Sequence, residues 1–210
     1  MLEGRQYGLP STQNKKIIIN LNTYYNMAIC TLNSNLLRTS SCGYSLPEIV
    51  DIYLVNRDDL DGDPEVNGGS GTSISGCDEI TEVKLKEDKK AYHVEPARNS
   101  ASFEDTLVVE DSGNKYRNAS ITFNVTGVYN ACMHGALDAL ALGRYFVVVK
   151  TADGNYLGMG RISPLEAETA TLAGGSDNNG LQIVLSGNIA ESPLPLSTEA
   201  VNKLLANVAA

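Results

Sequence analysis

The sequence predicts a mainly β protein: an antiparallel β-sandwich or partial barrel with one flanking α-helix, plus a long loop and terminal extensions. Three observations lead there. Between residues 101 and 188, run after run alternates apolar with polar residues, the period of a strand with one core face. Only one helical run interrupts them. Clusters of Gly, Asn, Asp and Ser stand at the joints, where tight turns need them.

Residues 1–16, MLEGRQYGLPSTQNKK, are polar and contain Gly and Pro, and predict an extended arm. IIINLNTYYNMAICTLN (17–33) is rich in β-branched and aromatic residues and predicts a strand. PEIVDIYLVNRDDL (47–60) predicts a stronger one. Val50, Ile52 and Leu54 form an apolar face, and Ile49, Asp51, Tyr53 and Val55 a mixed face, so a central, half-exposed strand is expected. Residues 58–77, DDLDGDPEVNGGSGTSISGC, predict a flexible insertion of the kind that is functional or orders on binding. EITEVKLKEDKKAYHVEP (79–96) predicts an exposed hairpin turning at EDKK, its charges discouraging edge pairing.

ASFEDTLVVED (101–111) and YRNASITFNVT (116–126) predict two strands joined at Glu110-Asp111-Ser112-Gly113-Asn114. In the second, Ile121, Phe123 and Val125 face a core. Ser120, Thr122, Asn124 and Thr126 face solvent, a neighbouring subunit or a wet lumen. Residues 130–142 predict a helix with Met133, Leu137, Leu140 and Ala141 on one stripe and Gly143 as its C-cap. YFVVVK and NYLGMGRI flank Asp153-Gly154, a signal for a two-residue hairpin loop. Asp177-Asn178-Asn179-Gly180 separates LEAETATL from the closing strand LQIVLSGN. In SPLPLSTEAVNKLLANVAA (192–210), prolines precede a helix capped by Ser197 or Thr198, with Val201, Leu204, Leu205 and Val208 on one face. The organisation is thus an arm (1–16), a β domain (17–191) carrying the 58–77 insertion, and a Pro-linked helical tail (192–210).

Length and composition suit this reading. The 210 residues are 42% hydrophobic and 20% charged, enough to bury a core, and ten Tyr with no Trp favour half-buried sheet positions. With 16 Lys+Arg against 25 Asp+Glu, the formal net charge is -9. The clustered cations that grip nucleic-acid phosphates are missing: the densest basic run, Lys84 to Lys90, is interleaved with Glu87 and Asp88. An acidic wall can still serve DNA by repelling it from a smooth channel. No charged-then-apolar leader opens the chain, and its longest apolar runs are too short for a bilayer. Asn118-Ala119-Ser120 and Asn124-Val125-Thr126 match a glycosylation pattern but read as strand residues.

Catalytic and metal-binding constellations are sparse. Cys30, Cys42, Cys77 and Cys132 have no CxxC spacing, so they read as free thiols used as small apolar residues, with one or two disulfides conceivable only on export. His93 lies in a strand. His134, two residues after Cys132 on a helix, points away from it, which excludes a Cys–His dyad. Asp59, Asp61, Asp63 and Glu65 alternate like the first half of an EF-hand loop. Gly62 at the fourth position, Pro64 at the sixth and Ser70 at the twelfth break the pattern. A solvated acidic loop is expected. No residue is assigned a catalytic, cofactor-binding or metal-binding role, and the chain is not expected to be an enzyme.

Taken in order, FEDTLVVEDSGNKY, the helix ending in LGR, the DGN hairpin and the DNNG turn resemble the tail-tube and tail-ring structural proteins of tailed bacteriophages, notably the crAss-like phages of the Bacteroidetes group. The resemblance covers about Glu79 to Pro193. It implies sheets that join neighbours into stacked rings around a channel for the genome. The expected partners are this chain itself, in a six-fold or alternatively twelve-fold ring, and neighbouring tail or portal-proximal ring proteins. Double-stranded DNA would pass through the lumen without specific binding, and no membrane is involved. The protein would be made in the host bacterial cytoplasm and reside in the virion tail. The lumen should then be acidic, with few Lys or Arg. The arm, the 58–77 loop and the tail should bridge subunits or rings. The alternatives are a calcium-dependent carbohydrate- or protein-binding β-sandwich module and a capsid-decoration protein.

Overall fold

Glu48 opens the first segment of the computed structural model, which describes residues 48–67, 78–127, 131–175 and 180–209. The chain divides into two units, Met1–Asn33 and Ser34–Ala210, the first outside the described residues. Also outside them lie the expected arm, the 17–33 strand, Cys30, Cys42, Cys77, residues 68–77 of the loop and the Asp177–Asn179 turn.

The strands are β1 (Ile49–Asn56), β2 (Glu65–Val66), β3 (Ile80–Glu82), β4 (Tyr92–Val94), β5 (Ser102–Val109), β6 (Lys115–Val125), β7 (Arg144–Thr151), β8 (Tyr156–Met159), β9 (Leu165–Ala173), β10 (Gly180–Ile189) and β11 (Leu194–Pro195). The helices are α1 (Ala131–Leu142) and α2 (Thr198–Ala206). All strand pairings are antiparallel, and the main sheet runs β11-β8-β7-β9-β10-β6-β5, with β1 between β7 and β4. It forks at β7. One edge of β7 pairs with β1. The other is shared, Arg144 and Tyr145 pairing with β9 and Val147–Lys150 with β8. The fork makes two layers, β4-β1-β7-β8-β11 and β9-β10-β6-β5, which is the expected sandwich-like, mainly antiparallel fold with a flanking helix.

The first core fills the space between the layers. Ile52, Leu54, Val147 and Val149 meet Ile121, Phe123, Ile183 and Leu185, all at most 2% exposed, and Leu137 and Leu140 of α1 close one end. A second core lies on the opposite face of β1 and β7. There Tyr53, Val55, Phe146 and Val148 pack with Leu60, Ile80, Val83, Ala91 and Leu204 of α2. The expectation of a half-exposed β1 is therefore wrong: both its faces are covered. A bulge at Val50, where Ile49 pairs with Thr151 but Asp51 with Lys150, also shifts Ile49 into the first core beside Ile52 and Leu54.

The 79–96 hairpin is corrected too. A turn does form at Lys86–Lys89, but β3 pairs with β2 and β4 pairs with β1, so the two arms diverge. Each finds a longer-range apolar partner, Ile80 in the second core and Val94 against the first. The acidic half of the 58–77 loop is likewise built into the body. Leu60 bridges to Leu85, and β2 pairs with β3.

Two turns share one chemistry. Gly113 and Gly154 have φ near +86° and +87°, and each closes a three-residue loop: Gly113 N–H donates to Glu110 O, and Gly154 N–H to Thr151 O, both at 2.9 Å. A β-carbon would strain either position. The Asp153-Gly154 loop is thus one residue longer than the two-residue reading, and only its glycine is left-handed. Gly143 is not the left-handed cap expected. Its role is space: the Tyr145 hydroxyl lies 2.0 Å from where its β-carbon would stand, and donates at 2.9 Å to Ala139 O near the helix end.

The tail is built into the domain. Pro195 sits in β11, paired with Leu157 of β8, because an edge strand needs no N–H on its outer side. Ser197 caps α2, accepting from the Ala200 N–H at 3.2 Å. Ala200, Val201 and Leu204 are buried, and Ala209 N–H donates to Ala91 O at 2.8 Å. The prolines direct the helix onto its own domain.

Leu204→Ala should therefore lower the unfolding free energy by about 2–5 kcal/mol, since it empties a packed position; chemical denaturation measures it. Gly143→Ala should cost roughly 1–3 kcal/mol by displacing the buried Tyr145 ring, read as a lowered Tm.

Candidate functional site

Strand alternation builds the most distinctive surface. On the layer β9-β10-β6-β5, one face covers the first core and the other carries polar side chains. β5 contributes Ser102, Glu104 and Thr106 to that polar face, and their cross-strand partners in β6 are Thr122, Ser120 and Asn118. β10 adds Gln182, Ser186 and Asn188. β9 adds Thr169, Thr171 and Glu166, with Glu168 at a bulge. Val108, Tyr116 and Val184 are its larger apolar members. Asn118 Nδ2 donates to Asn188 Oδ1 at 3.1 Å, and Thr106 Oγ1 to Glu104 Oε1 at 3.0 Å.

These four strands contain two cations, Lys115 and Arg117, and both alternate onto the opposite face. Arg117 is spent there: its Nε and Nη2 donate to the Asp105 carboxylate at 2.6–2.9 Å. The polar face therefore holds mostly hydroxyls and amides, with the carboxylates Glu104 and Glu166, Glu168 at the bulge, and neither Lys nor Arg. Among the described residues both flanks of the layer are open. β5 pairs on one edge only, and β9 beyond Glu166 pairs only with β10.

The layer also exposes apolar groups on its core side, where it extends past β1 and β7. Phe103, Leu107 and Val109 of β5 are 37%, 53% and 57% exposed, and Leu172 of β9 is 55% exposed. Between α1 and β4 lies an apolar recess of about 600 Å³, lined by Leu54, Tyr92, Val94, Leu137, Leu140 and Tyr145 among others.

One polar cluster has no counterpart in the sequence reading. Asp51 lies opposite Lys150, whose Nζ donates to Oδ2 at 2.9 Å, and diagonally from His93, whose Nε2 is 2.9 Å from Oδ1. The His93 ring stacks on Tyr53 at 5.1 Å, and Lys150 stands 5.9 Å over the Tyr156 ring. Burial works to raise the Asp51 pKa, but the hydrogen bonds and charges of Lys150 and His93 outweigh it and hold the carboxyl below its ordinary value. The same contact with Asp51 raises Lys150. Burial, and then the Asp51 charge, raise the Tyr53 phenol. These groups saturate one another across β8, β7, β1 and β4, so the cluster pins strands together. Sequence spacing could not reveal it, because Asp51, His93 and Lys150 meet only through strand register.

The acidic run is spread over separate partners. Asp59 accepts from Asn56 at 2.7 Å and pairs with Lys89 at 3.1 Å. Asp63 pairs with Arg57, and Glu65 with Lys84 at 2.6 Å. The residues Asp59, Asp61, Asp63 and Glu65 do not converge: among the described residues, no three acidic, His or Cys side chains are arranged to hold a metal ion. His134 lies on α1 and His93 in β4. The side chains of Cys132 and His134 are outside the described set.

No family model, curated protein or solved structure matches the chain. Among the described residues, no helix is long and apolar enough to cross a membrane.

Asp51→Ala should destabilise the fold by about 1.5–3 kcal/mol at pH 7, the range for hydrogen bonds to a charged group. Because the folded pKa is depressed, Asp51 stabilises above the ordinary carboxylate range, and this is lost as pH falls through the lowered value. The gap between variant and wild type should thus close in acid, as denaturant titrations across pH will show.

Proposed function

We propose that this chain is a virion structural protein of a tailed phage, forming a ring or tube segment of the tail through which the genome is ejected. One observation carries the reading: a four-stranded face mostly of hydroxyls and amides with a few carboxylates, from which alternation removes both available cations. Such a wall gives DNA phosphates no counter-charge, so it lacks the electrostatic grip that would stall a passing duplex.

The open edges supply the means of assembly. β5 and β9 flank the same layer, so joining β9 of one copy to β5 of the next continues the sheet and keeps the polar faces on one side. Six copies would close a barrel of about 24 strands. At about 4.8 Å per strand and a tilt of about 40°, its backbone would measure roughly 45–50 Å across, wide enough for a duplex after side chains are added. The chain then works in the virion, against copies of itself and against ring proteins above and below. A twelve-fold ring is the larger closure of the same edges.

Mass photometry and negative-stain imaging of the purified protein should show closed rings, six-fold by preference. Monomers alone at high concentration would overturn the proposal and favour a monomeric binding module. In the assembled form, wild type should not retain duplex DNA at low salt, whereas Glu104→Lys with Glu166→Lys should, with retention falling as salt rises. Tight wild-type binding in the same gel-shift assay would overturn the lumen assignment.

A further inference from the structure

The apolar recess between α1 and β4 has no part in the ring reading, and two alanines keep it open. Leu137 and Leu140 of α1 pack against the first core. Ala136 and Ala139 line the recess as well, but their side chains end at the β-carbon and are exposed. The hollow of about 600 Å³ that remains is of ligand-pocket size, within the usual range of about 300–1,000 Å³. Leu54, Val94, Val125 and Leu181 complete its apolar walls. Packed interiors leave few gaps larger than a water molecule, so a space this large forgoes dispersion contacts that an apolar occupant would restore.

The polar groups of the recess favour one sign of charge. Glu95 is exposed there and pairs with no cation among the described residues, and neither Lys nor Arg lines the space. The Tyr145 hydroxyl donates its proton to Ala139 O at 2.9 Å, so toward any further partner its oxygen can only accept. Tyr92, 48% exposed and on the same segment as Glu95, offers an aromatic face to a cation. His93 brings no bare charge, since its Nε2 lies 2.9 Å from the Asp51 carboxylate. We infer that the recess binds an alkylammonium ligand, its hydrocarbon body against Leu54, Leu137 and Leu140 and its ammonium at the rim beside Tyr92 and Glu95. An ammonium carries three donors and no acceptor, which matches the acceptor capacity on offer. A carboxylate head would meet repulsion from Glu95 and find no counter-charge. The site is built within one chain, so it is complete whether or not copies assemble.

The test titrates the full chain with octylammonium, octanol and octanoate at pH 7 by isothermal calorimetry. Octylammonium should bind at a single site, tighter than octanoate by about fivefold or more, with octanol between them. Glu95→Gln should weaken octylammonium by about two- to fivefold, the range of an exposed ion pair, and leave octanol unchanged. Ala136→Trp should fill the recess and abolish binding of all three probes without lowering Tm. Ala136→Leu is the milder second variant should the indole disturb folding, and it should weaken all three probes together. Octylammonium binding that survives both Ala136 variants would place the amine elsewhere, such as on the exposed β5 row, and overturn the inference. So would octanoate binding as tightly as octylammonium, or no saturable binding by any probe. The ring reading stands or falls separately, on mass photometry without ligand.

Discussion

Strand β7 carries a double commitment on which the rest of the molecule depends. Its side chains are buried on both faces, Val147 and Val149 in one core and Phe146 and Val148 in the other. Its hydrogen-bonding edges serve three strands, because β8 and β9 divide one of them. A strand wrapped this way must be apolar through its covered middle, and YFVVV (145–149) is. The division bends the sheet into two layers, and it leaves β9, β10, β6 and β5 to run on as a free layer with one polar face. Without the fork the polar face and the two apolar flanks would not share a layer.

Local patterns in the sequence sufficed for much of this. Period-2 alternation placed β6 and β10, glycine-bearing turns placed the β5–β6 and β7–β8 hairpins, and the Ser197 cap placed α2. What alternation could not convey was how many layers a strand touches. Tyr53 and Val55 look like a mixed outer face until α2 and Ile80, distant in sequence, are brought against them. The chemistry of Lys86–Lys89 specifies a turn and not a hairpin, since a turn reverses the chain without obliging its arms to pair. The backbone freedom of Gly143 suggests a left-handed cap, whereas the pressure on it comes from the hydroxyl of Tyr145. The polar face was visible as a run of Ser, Thr and Asn in β6. That its neighbours continue it, and that Lys115 and Arg117 both turn away, depends on register across four strands.

The formal charge of -9 has a structural distribution. Arg57, Lys84, Lys89, Arg117, Lys150, Arg161 and Lys203 each meet a carboxylate of the same chain. Arg161 is the most enclosed. At 2% side-chain exposure it donates to both oxygens of Glu191 and to Pro64 O, tying the segment after β8 to the segment after β10. Cations thus serve as internal fasteners at the seams between elements, and the surplus acid is left for surfaces such as the face bearing Glu104 and Glu166.

The clamp of α2 on the second core has a consequence for the order of events during synthesis. Leu54 in β1 leaves the ribosome long before Val147 in β7, its antiparallel partner, and the second core is complete only when Leu204 emerges. Contacts so far apart in sequence form slowly. The β5–β6 hairpin, by contrast, joins neighbours in the chain and can form early, with its apolar edge showing. A nascent chain therefore displays a sticky strand before it owns a finished body. On a crowded polysome, neighbouring copies would meet through that strand, so aggregation would begin at its apolar row before the sandwich closes.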